Sequence, residues 1–248
     1  MAARLGAPGQ RRVGESYADP MPRVLGVDAC PAGWVGVALG SHGVRAYVEE
    51  SVADLVAVAA ADGVLDAVGI DIPIGLPDEG PRAADELAMA AIGPLRSAVF
   101  TTPIRAAVLA EDHATASAVS RRVAGFGISV QAYGLRHRIL EVEAWVHATG
   151  LDVREVHPEV SFAEMAGAPL SVRKSTWAGV ERRRELLERE GVQPRGDLGL
   201  AGRAAKVDDV LDAAAVAWTA ARVARGEARS LPSPPQTFSD GWPAAIWV

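Results

Sequence analysis

Lysine and cysteine are almost missing from this chain, and it has no long apolar run. Cys30 is the only cysteine in 248 residues. That excludes an internal disulfide and a thiolate-built zinc site, and it fits a reducing, cytoplasmic compartment. Lys174 and Lys206 are the only lysines, and the 25 basic residues face 31 acidic ones, a formal net charge of −6. This balance lacks the broad positive field that holds polyanions non-specifically, so a nucleic acid partner has to be held by a local basic patch and by metal. No apolar stretch approaches the ~20 residues needed to cross a bilayer. Residues 1–21 carry arginines but no apolar core, so they read as a disordered leader rather than a secretory signal. There is no internal repeat, coiled coil or clear linker, and residues 22–248 read as one domain with helical insertions.

What is present is a series of short apolar runs alternating with helical periods. Residues 23–27, 34–39 and 44–49 read as an antiparallel meander with tight turns at Pro31-Ala32-Gly33 and Ser41-His42-Gly43. Residues 51–61 read as a helix with Ser51 as N-cap. The run 67–72 reads as a strand covered on both faces, lying beside the first strand and reached by a right-handed crossover. Helices are expected over 82–92, 106–123, 129–148, 175–190 and 206–225, and a short strand over 153–157. A Pro/Ser-rich tail, 230–241, precedes a terminal strand or packed end at 244–248. The whole is α/β with a mixed sheet.

Acids punctuate this pattern. Asp28 and Asp71 each close an apolar strand, where ligands bind in open α/β sheets. If those strands are parallel neighbours, the two carboxylates come within reach of one cation. The alternative for each is a turn: Asp28 capping Pro31–Gly33, Asp71 holding the Pro73–Gly75 backbone. Asp209 and Asp212 sit three apart on a helix and share a face. Asp208 and Asp209 also complement the helix dipole, whereas Asp212, flanked by Leu211 and Ala213, faces the core, where an unpaired acid is costly. Glu155, His157 and Glu159 alternate in REVHPEVSF, which on an extended chain puts them on one face; that face is either catalytic or a solvated edge. Like charges gathered in this way call for a cation. An all-carboxylate set suits Mg²⁺ or Mn²⁺ and the hydrolysis of a phosphodiester. Arg105, Gln131, Lys174 and Lys206 are the candidate contacts to substrate phosphates.

The segments VLGVDACPAGWVGVAL, GIDIPIGLPD, SAVFTTPIRAA, EVHPEVSF with the following KST, and VDDVLDAAAVAWTAAR together resemble the DUF429 family, which is proposed to comprise nucleases of the ribonuclease H-like superfamily. The resemblance runs from about Pro22 to the C-terminus. It implies a five-stranded mixed sheet in order 3-2-1-4-5 flanked by helices. The pattern Asp209-Val-Leu-Asp212-Ala213 is similar to the C-terminal helix of RuvC-type Holliday junction resolvases, whose first-strand aspartate corresponds to Asp28. Where those enzymes carry a glutamate on the fourth strand, this chain has Asp71, one methylene shorter. Ala29 stands where the family usually has Gly, and Thr101 where it usually has Pro. The resemblance implies a metal-dependent nuclease with Asp28, Asp71, Asp209 and Asp212 on the metal and DNA or RNA as substrate; Glu159 and His157 are further catalytic candidates from their own alternation. Two other readings stay open: a nucleotide-dependent phosphotransferase of the actin and sugar-kinase type, which begins with a similar strand and aspartate turn, and a non-catalytic binding protein on the same fold.

Overall fold

The computed structural model describes residues 21–248, so the leader expected at 1–21 lies, except for Met21, outside the described residues. β1 (Val24–Cys30), β2 (Gly33–Gly40) and β3 (Gly43–Glu49) form the meander expected from its turn residues. α1 (Val52–Ala61) starts where Ser51 accepts a hydrogen bond from the Asp54 N–H. The chain returns as β4 (Ala67–Ile70), parallel to β1. α2 (Ala83–Ile92), a 3-10 turn (Gly93–Ala98), α3 (Arg105–Val108), α4 (His113–Ala124), α5 (Val130–Gly134) and α6 (Arg136–Ala148) follow. β5 (Val153–Glu155) pairs with β4 in parallel and completes a five-stranded sheet in the order β3-β2-β1-β4-β5. α7 (Pro158–Ala166), α8 (Trp177–Arg189), α9 (Ala201–Ala204) and α10 (Val207–Ala224) come next. β6 (Ser230–Thr237) and β7 (Pro243–Trp247) then pair as a separate two-stranded ribbon.

Several expected boundaries shift for local reasons. The strand read over 153–157 stops at Glu155, because Pro158 takes the first position of a helix, α7, capped by His157. The helix read over 106–123 breaks after Val108, and Asp112 caps its second part by accepting from the Thr115 N–H at 2.8 Å. The Pro/Ser-rich tail is a strand: β6 carries Pro232, Pro234 and Pro235 and pairs with β7 across a register shift between Leu231 and Gln236, where missing N–H donors are tolerated.

The sheet is covered on both faces. Odd-numbered β1 residues Leu25 and Val27 and even-numbered β4 residues Val68 and Ile70 join α1 and α6 in one core. The opposite face carries α10, α7 and α8 through Val35, Val37, Phe162, Leu186 and Ala213–Ala215. α10 lies unusually close to the sheet. A Cβ on Gly26 would stand 2.1 Å from the Ala217 nitrogen and 2.2 Å from the Ala213 carbonyl oxygen, and one on Gly69 would meet Val216 at 2.8 Å. Glycine at these two positions is what lets helix backbone rest on strand backbone.

Candidate active site

Side chains alternate faces along a strand. Asp28 therefore points to the same side as Gly26, and Asp71 to the same side as Gly69; both emerge under α10. Val27 pairs with Ile70 in the parallel register, and the Asp71 N–H donates to the Val27 carbonyl at 2.9 Å. The two aspartates thus occupy equivalent places at the C-terminal ends of adjacent strands. Asp212 lies on α10 one residue before Ala213, which sits on Gly26. Three acids from remote parts of the sequence therefore share one edge of the sheet.

Their environment is hostile to charge. Burial, followed by repulsion from Asp71 and Asp212, pushes the Asp28 carboxyl well above the ordinary carboxylate range, although Lys174 and the Ala29 N–H (2.7 Å) pull it back. Burial raises Asp71 to about 7 against the pull of Lys174, with Glu159 adding to the rise. Asp212 is likewise raised to about 7, first by burial, with Lys174 opposing and Asp71 and Glu159 reinforcing. Lys174, on the segment between α7 and α8, is the cation these acids share. Burial works against its charge, but Asp212, then Asp28 and Asp71, more than restore it. Its ammonium donates to Asp212 Oδ2 and lies 3.9 Å from Asp208 Oδ2. The other Asp212 oxygen, Oδ1, is buried with no hydrogen-bond partner among the described residues.

The remaining expected site residues divide differently. Asp209 is spent on the helix start, where its Oδ2 accepts from the Lys206 N–H at 3.0 Å, and burial raises its carboxyl. Glu155, His157 and Glu159 do not share an extended face, because Pro158 turns the chain into a helix between them. Glu155 receives both terminal nitrogens of Arg82, at 2.6 and 2.9 Å, and the Ile74 N–H at 2.7 Å. Glu159 is held by Arg183 Nη2 at 2.6 Å to each oxygen, both side chains being buried. His157 caps α7: its Nδ1 accepts from the Glu159 N–H at 3.2 Å, and burial lowers its pKa. Arg105 is paired with Glu143 at 2.6 Å and Asp240 at 2.8 Å instead of facing a substrate. Gln131 stands exposed on α5, and Lys206 stands exposed at the start of α10. Of the four candidate substrate contacts, Lys174 alone bonds the acid cluster.

Sequence reasoning missed Arg183 and Arg82, the two buried arginines. A signal existed for the first: Arg183 keeps the three- and four-residue spacing of Val180, Leu186 and Leu187, the apolar side of α8. Beside the first turn of α10 there is also a groove of about 740 Å³ whose rim includes Arg184, Arg195, Arg203 and Lys206, against Glu188 and Asp197. It is a local basic patch on an acidic protein.

Among the described residues, no three His, Cys, Asp or Glu side chains stand arranged to hold a metal ion. Lys174 already engages Asp212, the most buried of the acids. The donor chemistry nonetheless fits a hard divalent cation: the three carboxylates offer only oxygen, and Asp212 Oδ1 is an orphaned acceptor whose lost hydration is compensated by no hydrogen bond.

No curated protein and no solved structure matches the chain. The family model described as Protein of unknown function (DUF429) matches residues 26–237, a span that includes all three aspartates, Lys174 and the whole of α10. The chain belongs to the DUF429 family.

Proposed function

We propose that this protein is a divalent-metal-dependent nuclease that hydrolyses phosphodiester bonds of nucleic acid at the Asp28–Asp71–Asp212 edge. One observation carries the reading: carboxylates at the ends of β1 and β4 and on α10 act on one another at one edge of the sheet, and the buried Asp212 Oδ1 lacks any partner there among the described residues. Asp28, Asp71 and Asp212 would hold the ion. When bound, Mg²⁺ or Mn²⁺ supplies Lewis acidity toward the phosphoryl oxygens and lowers the pKa of water. The chain's own contribution is positional. Gly26 and Gly69 let α10 come down until Asp212 reaches the strand ends. Lys174 and the arginines of the neighbouring groove supply the positive charge that phosphates need. The β1–β2 connection weighs against the phosphotransferase reading. It is a two-residue turn, Pro31-Ala32, and Pro31 has no N–H, so it offers few amides to a phosphate.

The test is cleavage of a panel of single-stranded, duplex and branched DNA and RNA by the full chain in Mn²⁺ or Mg²⁺, with Asp28→Asn and Asp212→Asn as controls. The reading expects metal-dependent cleavage that falls at least about 100-fold in either variant. Cleavage that survives in both would belong to a contaminant. Absence of cleavage, together with no effect of divalent ions on melting, would favour a non-catalytic binding protein.

A further inference from the structure

Lys174 takes a cation's place on Asp212. Among the described residues its ammonium is the one cation bonded to Asp212, it stabilises the charges of Asp28 and Asp71 as well, and its side chain is 41% exposed, so it enters the site from solvent. One ammonium engages only Oδ2 and leaves the buried Oδ1 of Asp212 bare. A divalent ion on the same carboxylate would displace this ammonium, because two cations a few ångströms apart repel.

The backbone around Lys174 is fixed on both sides. Before it, the Val172 carbonyl accepts from Arg183 Nη1 at 3.2 Å, the same buried arginine that clamps Glu159. After it, Thr176 caps α8: its Oγ1 donates to the Arg173 carbonyl at 2.8 Å and accepts from the Gly179 N–H at 3.1 Å. Gly179 itself is pressed so closely on Arg173 that a Cβ there would lie 1.9 Å from the Arg173 carbonyl oxygen. The lysine can therefore leave Asp212 by rotating its own flexible stem, while the loop stays in place and Nζ remains within reach of the rim.

We infer that Lys174 is a built-in placeholder for the divalent ion: it neutralises the aspartates in the metal-free protein, swings away when metal binds, and is thereby presented to the substrate phosphate at the mouth of the site. This rests on the reading of the acid edge as a metal site. It makes Lys174 a competitor of the metal as well as a partner of the substrate, so removing it should improve the first interaction and damage the second.

The experiment pairs calorimetry with NMR on the full chain. Mn²⁺ is titrated into the wild type, Lys174→Met, Lys174→Arg and Asp28→Asn. An ammonium that occupies the site nine-tenths of the time weakens apparent affinity about tenfold, so Lys174→Met should bind Mn²⁺ about tenfold more tightly than the wild type. Lys174→Arg should bind no more tightly, and Asp28→Asn should bind poorly. In parallel, ¹⁵N-lysine labelling yields only two side-chain signals, from Lys174 and Lys206, and Lys206→Met assigns them. Addition of diamagnetic Mg²⁺ should shift or broaden the Lys174 signal and leave that of Lys206 unchanged. If the wild type binds metal while the Lys174 signal stays fixed and Lys174→Met gains no affinity, the placeholder role is overturned and the metal site stands. If neither the wild type nor Lys174→Met binds metal, the metal site and the placeholder fall together.

Discussion

Replacing Gly26 with alanine tests how the acid edge is assembled. The added methyl would lie 2.1 Å from the Ala217 nitrogen and 2.2 Å from the Ala213 carbonyl oxygen. Ordinary contact needs ~3.5 Å, so α10 has to rise by more than ~1 Å, and both obstructing atoms are backbone that cannot rotate away. Overpacking of this kind costs about 1–3 kcal/mol, and a clash with a helix backbone belongs at the upper end. For a chain of this size, about 3 kcal/mol corresponds to a fall of about 6–12 °C in melting temperature. Gly69→Ala offers a graded comparison. Its nearest obstacle is a Val216 methyl at 2.8 Å with the Val216 carbonyl oxygen at 3.0 Å, part of which can yield, so about 1 kcal/mol is expected. Gly150→Ala is the control: nothing lies within 4 Å of its Cβ, and it should leave stability unchanged or raise it by less than about 1 kcal/mol. Differential scanning calorimetry of the three variants should give the order Gly26→Ala, Gly69→Ala, Gly150→Ala in decreasing loss. A Gly26→Ala protein that melts within a degree of the wild type would refute the seating of α10 on β1, and with it the placement of Asp212.

Desolvation pushes Asp71 and Asp212 up to about 7 in the folded chain from an ordinary 3.8. The native state therefore binds more protons than the unfolded chain between those values, and stability present at low pH is lost as pH rises through about 7. Without divalent ions, the melting temperature should climb as pH is lowered from about 7 to about 5, and Asp71→Asn should flatten the climb; a flat profile in the wild type contradicts the raised carboxyls. Arg183→Met strands the buried Glu159 carboxylate and should cost about 3–5 kcal/mol in urea unfolding, whereas Glu159→Met combined with Arg183→Met should recover most of it. An equal loss in the single and double variants would mean that packing, rather than charge, dominates there.

Much of this architecture is legible in the residues themselves. The meander follows from its turns, and the parallel pair from two apolar runs ending in acids. Each acid also follows a glycine at a two-residue interval, Gly26-x-Asp28 and Gly69-x-Asp71, so the same face that carries the carboxylate admits a helix backbone. Asp212 stands out because an acid amid Leu211 and three alanines has to be buried. The roles of Asp209 and Glu159 are less legible. A carboxylate in a helix's first turn is open to either the cap or the site, and the Lys206 N–H decides it. The fate of Glu159 depends on Arg183, 24 residues away, and on Pro158 converting a strand pattern into a helix. The proline-rich tail reads as irregular because its pairing partner, β7, supplies the order that β6 alone lacks.

The account stands most directly on a crystal soaked in Mn²⁺. It predicts anomalous density bounded by Asp28, Asp71 and Asp212, with the Lys174 ammonium withdrawn from Asp212. A difference map without a peak there, and with Lys174 still bonded to Asp212, would contradict it.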